Sequence, residues 1–532
     1  MELQCSYKAT EEARLFAHFR PLLAGDLVSA GVPSSIAGSL LNWFDPACDG
    51  YLAHVNGWQT LLCKGAVPLD VSIPQFLLDF GMVVKTPYSF SLLRSEPWKI
   101  NIVHAVAKLL YKYHGAARNS VDWNAVKDRF SHPSNITLFP HEIRGIRSKL
   151  ECLEPPSWDM IVGRFGPGVT ADRKDNYLKW RRNGYYPEHV PSYLYFCSPI
   201  DFIEHRKEVI PSKRGVTKIA CVPKSLKTDR IVSSEPANFM FAQLGVNDCL
   251  VKQLHMCFSK HISLYDQDRH NRLLLDPESC SLDLSDASDH ISRRLVYSLL
   301  PRWKEFLFSV RSSWASFPDG SLVPFRTFAP MGSGVCFSVL TAITAGICAF
   351  ACRRYWHVYG DDIIVHVNDY DYVRDLLLRC GLIVNNDKSC CTKFYRESCG
   401  KEYWLTTNIT PLMIRDSPSM MDATQMESLL RQFDVTVSPF VRLRDALTSE
   451  FVRNHGLSRR CIRSGPYQNF QVKLPIDKPK GSQRELRGYY GLNRWFCLKT
   501  QTAKVVSRTS GHHIRWLWAN CDDYPCLTRA LE

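Results

Sequence analysis

The sequence lacks the features that define several classes of protein. No segment repeats at a fixed period and no low-complexity tract occurs in the 532 residues, which excludes solenoids and propellers. Hydrophobic residues make up 45% and charged residues 22%, near the averages of globular proteins, so wholesale disorder and fibrous folds are excluded as well. A chain of this length has room for about three or four folding units.

Signals for disulfides and for export are also missing. The 20 cysteines are spread along the chain without a CxxC pair, which favours reduced and mostly buried thiols. Residues 1–20 carry charges of both signs and no apolar core of a secretory signal. We therefore expect synthesis and function in a reducing cytosol.

One uncharged stretch, Thr327–Cys352, requires a test as a membrane span. Its segment 330–334 (PMGSG) fits a loop that enters a buried helix from about Val335 better than it fits lipid. A span would also separate Asp283 from Asp361, which are expected below to share one site. We therefore expect no membrane partner.

Acidic residues are scarce near the C-terminus. Residues 451–518 hold 14 Lys or Arg against two acids, which accounts for +12 of the net charge of +14, and nine aromatic residues are interleaved. This composition is typical of a surface that follows phosphates and stacks on bases; a basic domain with aromatic core residues is the alternative. The segment 206–230 is basic too, and its β-branched and Pro-containing stretches indicate strands or loops.

Local patterns predict the elements around two acidic positions. Residues 280–283 alternate like a short strand that ends at Asp283. Beyond it, apolar residues recur every four positions from 291 to 299 and predict one helix, capped by Asp286 or Ser288.

A hairpin is predicted further along the chain. Residues 355–367 form two apolar, β-rich runs separated by Gly-Asp at 360–361, a two-residue turn signal. A helix is predicted over 369–380, because its apolar residues have helical spacing and Gly381 follows them. A strand at 382–384 comes next, whereas residues up to about 150 carry no motif and are interpreted as mostly helical scaffold.

Carboxylates at these positions favour metal-dependent chemistry. Phosphoryl transfer from a nucleoside triphosphate can use two divalent metals about 4 Å apart, held by oxygen ligands. Asp283 at a strand end and Asp361 with Asp362 at a hairpin tip form such a set if the two elements lie side by side. An Asp-Asp pair in a turn is usually only a turn, but Tyr-Gly-Asp-Asp between two β-runs, with a strand-end Asp upstream, is a much rarer coincidence.

These segments resemble a known family. YGDD at 359–362 is similar to motif C of viral RNA-dependent RNA polymerases, and residues 282–301 resemble motif A of the RNA-phage (levivirus) replicase catalytic subunit. Five further segments resemble that family's basic nucleotide-binding motif, the segment before motif A, motif B, motif D and the primer-grip turn: 222–236, 264–273, 330–341, 385–388 and 395–400. The resemblance covers less than half of the chain.

The resemblance implies an α+β fold with the right-hand architecture of polymerases and an antiparallel palm sheet. It implies an N-terminal scaffold and fingers at 1–205, and fingers with the basic motif at 206–279. The palm would follow at 280–415 and a basic thumb at 416–532.

Roles for individual residues follow from the same resemblance. Asp283, Asp361 and Asp362 would be catalytic ligands of two Mg²⁺ ions, for which Mn²⁺ could substitute, and Lys388 would be the general acid for pyrophosphate. Lys224, Lys227 and Arg230 would neutralise the triphosphate. Asp289 and Ser333 would sense the ribose hydroxyl. Phage replicases usually have Asn at the position of Ser333, so the chain departs from the family there.

The implied function is RNA-templated RNA synthesis that replicates and transcribes a positive-strand RNA phage genome in the cytoplasm of the infected bacterium. Its partners would be template and product RNA, nucleoside triphosphates, host elongation factors Tu and Ts and a ribosomal protein. Reverse transcriptase is an alternative, but it usually has an aromatic residue shortly after the first Asp, where this chain has Leu284-Ser285-Asp286. A further alternative is a non-catalytic basic RNA-binding protein, which would not explain the three aspartates.

Overall fold

The computed structural model of the protein describes most of residues 11–454 and four short strands beyond them. The positions outside the description are 1–10, 49, 94–95, 114–120, 133–134, 167, 173–183, 196–208, 214, 225–228, 387, 419, 422, 436–439, 455–461, 464–470, 473–486, 490–495 and 499–532. Lys227 and most of the basic C-terminal region therefore lie outside the described residues.

Sixteen α-helices occur in the described part of the chain, and seven of them precede residue 151. In chain order, α1 to α16 are Glu11–Ser29, Ser34–Trp43, Tyr51–Lys64, Gln75–Asp79, Pro97–Lys108, Trp123–Ser131, Pro140–Leu150, Ala237–Phe258, Gln267–Arg272, Ala287–His290, Arg293–Leu299, Lys304–Ser309, Cys336–Ala351, Tyr370–Arg379, Ala423–Val435 and Val441–Asn454. The helical N-terminal scaffold is confirmed, with one small sheet added to it.

Short strands and a few short 3-10 helices make up the rest of the regular structure among the described residues. In chain order, β1 to β21 are Ala66–Pro68, Val83–Lys85, Ser89–Leu92, Gly184–Pro187, Val209–Ser212, Val216–Pro223, Asp229–Ser234, Ser279–Leu282, Leu284–Ser285, Trp314–Ser316, Leu322–Pro324, Trp356–Tyr359, Asp362–His366, Ile383–Val384, Tyr395–Ser398, Lys401–Trp404, Thr407–Asn408, Ile462–Arg463, Gln471–Val472, Arg487–Tyr489 and Phe496–Leu498. The mixture of helices with mainly antiparallel sheets is an α+β fold, as predicted.

Two large hydrophobic cores organise the described residues. In one, apolar residues from 15–113 pack with apolar residues from 390–451, and α1 lies against α16. The other joins residues from 146–384 and contains β8, β12 and β13. The first core is non-local, since it joins segments almost 300 residues apart. The domain boundaries expected at 205, 279 and 415 stay predictions.

The central sheet has the order β12-β13-β8 and is antiparallel throughout. Alternate β-branched and aromatic residues place Val358, Ile363 and Val365 in the core, each at 0% exposure. Tyr359 pairs with Asp362, so the turn consists of Gly360 and Asp361, as the two-residue signal predicts. Gly360 has φ +66, a conformation that a side chain disfavours.

The uncharged stretch forms a loop followed by the buried helix α13, which confirms the expectation. This helix has buried residues on all of its sides, as a core helix has and a surface helix does not. Close packing on α7 depends on small residues, because a Cβ at Gly346 would lie 2.7 Å from Leu150 and one at Gly145 would lie 2.2 Å from Phe350. No helix among the described residues is long and apolar enough to cross a membrane.

The single helix predicted after Asp283 is wrong. Two short helices, α10 and α11, are separated at Ile291, whose carbonyl accepts a hydrogen bond from the Phe328 N–H at 2.6 Å. The neighbouring Ser292 bridges Thr327 as a strand residue would and caps α11 by accepting from the Leu295 N–H at 3.1 Å. Pairing with a distant segment therefore takes the backbone groups that a continuous helix would use.

The expectation of reduced, mostly buried thiols fails for one pair of cysteines. Cys280 in β8 and Cys391 form a disulfide between positions 111 residues apart. Next to it, the free thiol of Cys390 donates a hydrogen bond to the free thiol of Cys63, with their Sγ atoms 2.9 Å apart. The disulfide ties the strand before Asp283 to the segment after Lys388.

Candidate functional site

The two predicted acidic elements lie side by side. Leu282 pairs with Ile363 in the antiparallel register of β8 and β13, so Asp283 and Asp362 occupy the next pair of positions. Asp361 lies at the turn before β13. The sheet register therefore brings all three aspartates to one end of the central sheet.

A second segment holds Asp283 from the other side. Asn385 donates its N–H to the Asp283 carbonyl at 2.8 Å, and the Asp283 N–H donates to Ser389 Oγ at 3.1 Å. This places Lys388 Nζ 3.6 Å from Asp283 Oδ2. Burial alone would lower the pKa of Lys388, but the carboxylates of Asp283 and Glu397 raise it overall, so the ammonium stays protonated beside the aspartate.

The electrostatics of the cluster suit a divalent cation. Burial, with repulsion from Asp362 and Asp283, raises the pKa of Asp361 to about 6, and burial also raises the pKa of Asp283. Carboxylate oxygens are ligands that Mg²⁺ prefers, and it takes one or two of them together with substrate oxygens and water. The donor chemistry of Asp283 and Asp361 therefore fits Mg²⁺. The described residues contain no cluster of three or more His, Cys, Asp or Glu arranged as a complete metal site.

The carboxylate of Asp362 is engaged by the turn after β15. Its Oδ1 accepts hydrogen bonds from Ser398 Oγ and from the Cys399 N–H, both at 3.1 Å, and Cys399 Sγ lies 3.4 Å from Oδ2. Asp362 is thus bound to the protein through both oxygens.

A buried chain of hydrogen bonds continues inward from Ser398. His270 Nε2 lies 2.7 Å from Ser398 Oγ, and His270 Nδ1 lies 2.8 Å from His357 Nδ1. Burial lowers the pKa of His270 to about 3 and that of His357 to about 4, so both rings are neutral. Since Ser398 donates to Asp362, it accepts from His270, and His270 in turn accepts from His357. Every hydrogen in the chain points towards Asp362.

Cationic residues border the same cluster. Lys224 follows β6, Arg230 lies in β7, and Val222 and Arg230 are paired across these strands. Partial burial, with repulsion from Lys388 and Arg230, lowers the pKa of Lys224, while Asp283 raises it. Lys224 therefore lies within electrostatic range of Arg230, Lys388 and Asp283.

Asp289 lies in α10 and contacts the loop before α13, which carries Ser333. Asp289 in α10 is 5% exposed, and burial raises its pKa to about 6. It accepts a hydrogen bond from the Met331 backbone N–H, and Arg129 Nη2 lies 3.3 Å from its Oδ2. Ser333 is half-buried two residues beyond Met331 and donates to Gln243 Oε1 at 3.2 Å.

Several residues of the site were not anticipated from the sequence. Burial, with repulsion from Glu402, Asp362 and Asp283, raises the pKa of Glu397 to about 8. The sequence points to Glu397 through its place in the segment 395–400, which resembles the primer-grip turn. Arg129 and Gln243 had none, since both come from helices without a motif.

The fold and the site define an α+β protein with three aspartates and several cationic side chains at one end of an antiparallel sheet. Residues 195–433 match the family model described as RNA replicase, beta-chain. This segment, just under half of the chain, is similar to RNA replicase beta chains.

The chain is similar to phage proteins that are named RNA-directed RNA polymerase subunits. The RNA-directed RNA polymerase subunit beta of Enterobacteria phage SP is 36% identical over 219 residues, which are 39% of this chain and 37% of that protein. The subunit of the same name from Qbeta virus (strain MX1) is 30% identical over 351 residues, 56% of this chain and 57% of that protein. The chain thus spans between about a third and just over half of the length of these relatives.

Among solved structures, the crystal structure of the RNA-dependent RNA polymerase of a human picorbirnavirus is 11% identical, with a TM-score of 0.39. That match covers 62% of this chain and 73% of the other. Similarity of this extent supports no further conclusion.

Proposed function

We propose that the chain is the catalytic subunit of an RNA-directed RNA polymerase that copies a positive-strand RNA phage genome. The observation that carries the proposal is the antiparallel register of β8 and β13, which brings Asp283 next to the Gly360-Asp361 turn. Lys388 and Lys224 add positive charge at the same end of the sheet.

Each group has a task in the proposed reaction. Asp283, Asp361 and Asp362 would hold two Mg²⁺ ions, with Mn²⁺ as a substitute, and the hydrogen bonds from Ser398 and Cys399 would orient Asp362. When bound, the ions lower the pKa of the attacking hydroxyl and stabilise the leaving pyrophosphate. Lys224, Arg230 and Lys227 would neutralise the triphosphate.

Protonation of the leaving group is assigned to Lys388. Its pKa is raised by Asp283 and Glu397, so it carries a proton at neutral pH. Departure of pyrophosphate increases negative charge beside the ammonium, which favours proton transfer to the leaving oxygen.

The proposal extends to partners and location. A family described as a beta chain implies further subunits, and we propose host elongation factors Tu and Ts and a ribosomal protein. The complex would act in the cytoplasm of the infected bacterium. We propose an N-terminal scaffold and fingers at 1–205, fingers with the basic nucleotide-binding motif at 206–279, a palm at 280–415 and a basic thumb at 416–532.

A template-directed incorporation assay tests this function. In separate reactions the full chain, with and without bacterial extract, is given an RNA template or a DNA template of the same sequence, together with Mg²⁺ and labelled ribonucleotides, and synthesis is expected on the RNA template. Labelled RNA complementary to the template is expected. If labelled product forms only from a DNA template, or fails to form under all these conditions, the proposal is wrong.

A further inference from the structure

Gln243, in the middle of α8, lies against the loop that carries Ser333. The side chain is 0% exposed, and its Oε1 accepts from the Gly334 N–H at 2.7 Å and from Ser333 Oγ at 3.2 Å. Its Nε2 donates to the Val310 carbonyl at 3.0 Å and to the carboxylate of Glu235. Both acceptor positions of Oε1 and both N–H groups of Nε2 therefore have a hydrogen-bond partner.

The backbone partners fix which way the amide points. A backbone N–H can only donate and a carbonyl can only accept, so Oε1 faces Gly334 and Nε2 faces Val310. An amide oxygen cannot donate. Ser333 must therefore give its hydroxyl hydrogen to Gln243, and only the lone pairs of its Oγ are left for a ligand.

The rest of the loop has little freedom to change this arrangement. Met331 accepts from the Ser233 N–H at 2.7 Å and donates its own N–H to Asp289. A Cβ at Gly332 would lie 2.2 Å from the Ser233 carbonyl oxygen, so the loop passes directly against β7. Ser333 is consequently presented in one orientation, on the same loop that contacts Asp289.

We propose that Gln243 is a positioning residue that makes Ser333 a hydrogen-bond acceptor only, so that the site selects nucleotides by a hydrogen donated from the 2′ substituent. This inference rests on the proposed function and names the feature of the sugar that is recognised. Nucleotides with a 2′-hydroxyl or 2′-amino group can donate to Ser333. Those with 2′-fluorine or 2′-hydrogen cannot, and the site should treat them alike.

The test compares four nucleotides that differ only at the 2′ position, incorporated by the full chain on one RNA template with bacterial extract. The 2′-hydroxyl and 2′-amino nucleotides should be used at least about tenfold better than the 2′-fluoro and 2′-deoxy nucleotides, because Ser333 Oγ is otherwise left without a hydrogen-bond donor once the bound sugar covers it. The rates of use of the 2′-fluoro and 2′-deoxy nucleotides should lie within about threefold of each other, since neither can donate a hydrogen bond from the 2′ position.

Variants separate Gln243 from Ser333. Gln243→Met keeps the side-chain length but removes the acceptor, so the Ser333 hydroxyl is free to donate. Use of the 2′-fluoro nucleotide should then rise at least about fivefold relative to the 2′-deoxy nucleotide. In Ser333→Ala the preference for 2′-hydroxyl should fall, and adding Gln243→Met to it should leave the 2′ profile unchanged, as expected for two residues that act through one hydrogen bond.

Asn238→Leu is the matched control, because Asn238 is a buried polar residue of the same helix at 1% exposure and should keep the wild-type 2′ profile. Thermal unfolding of each variant reports on its fold.

If Gln243→Met folds and keeps the wild-type 2′ profile, the role of Gln243 is refuted. If wild-type protein uses 2′-fluoro nucleotides far better than 2′-deoxy ones, the acceptor role of Ser333 is refuted, with no variant needed. If wild-type protein uses none of the four, the proposed function itself fails, and this inference with it.

Discussion

Ser398 Oγ donates a hydrogen bond to Asp362 Oδ1 over 3.1 Å, from a position that is 1% exposed. The serine cannot turn away, because His270 donates to it from the other side. The orientation of Asp362 is therefore determined by a residue 36 positions further along the chain.

Replacing Ser398 with Ala should reduce RNA synthesis by about 10- to 100-fold, because a hydrogen bond to a charged group contributes roughly 1.5–3 kcal/mol. RNA binding should be unchanged, since Ser398 is buried away from solvent. Ser148→Ala is the control, as Ser148 bonds only within its own helix, to the Gly145 carbonyl. Equal synthesis rates for Ser398→Ala and Ser148→Ala would show that Asp362 does not depend on this contact.

Stability should depend on pH through Glu235. The side chain is 3% exposed, and burial raises its pKa from 4.5 to about 7 despite hydrogen bonds from Ser312 and Gln243. The folded protein then binds a proton that the unfolded chain has already released. The contribution to stability is full below pH 4.5 and is lost as the pH rises through about 7.

Glu235→Gln removes this titration. From pH 4.5 to pH 8 the variant should therefore gain up to about 3 kcal/mol in free energy of unfolding relative to wild type, as measured by urea denaturation. Other buried acids titrate equally in both proteins and cancel in the difference. A difference that stays constant over this range would place the pKa of Glu235 near its ordinary value.

The disulfide between Cys280 and Cys391 should stabilise the oxidised protein. Cys391→Ser should lower the free energy of unfolding by about 2–4 kcal/mol, because the bridge closes a loop of 111 residues in the unfolded chain. The comparison is repeated with a thiol reductant, where the two proteins should become nearly equal. The same deficit with and without reductant would mean that the two cysteines are not bridged in solution.

The parts of the site that could be predicted are those set by short-range patterns. The Gly360-Asp361 turn, the strand end at Asp283 and the helix over 370–379 follow from alternation, turn chemistry and helical spacing within about ten residues. These local preferences agree with the tertiary structure, so they could be inferred from the sequence.

The remaining parts depend on contacts between distant segments. Gln243 occurs in an ordinary helical sequence, and its role exists only because residues 333–334 fold against it. The break at Ile291 needs Phe328, and the core shared by residues 15–113 and 390–451 has no local signal. Such features arise from tertiary pairing that overrides local propensity.

In the proposed function, Asp283 and Asp361 carry the chemistry of RNA synthesis. Its most direct test is the rate of RNA synthesis by Asp283→Asn and Asp361→Asn, measured beside RNA affinity. Asp371→Asn is the matched control, since Asp371 is 88% exposed and lies on α14, which begins beyond the far end of β13 from the turn. The two site variants should lose at least about 1,000-fold in synthesis while RNA affinity and the control stay at wild-type values, because each change removes a ligand charge but preserves size. Near-normal synthesis by either site variant would contradict the account.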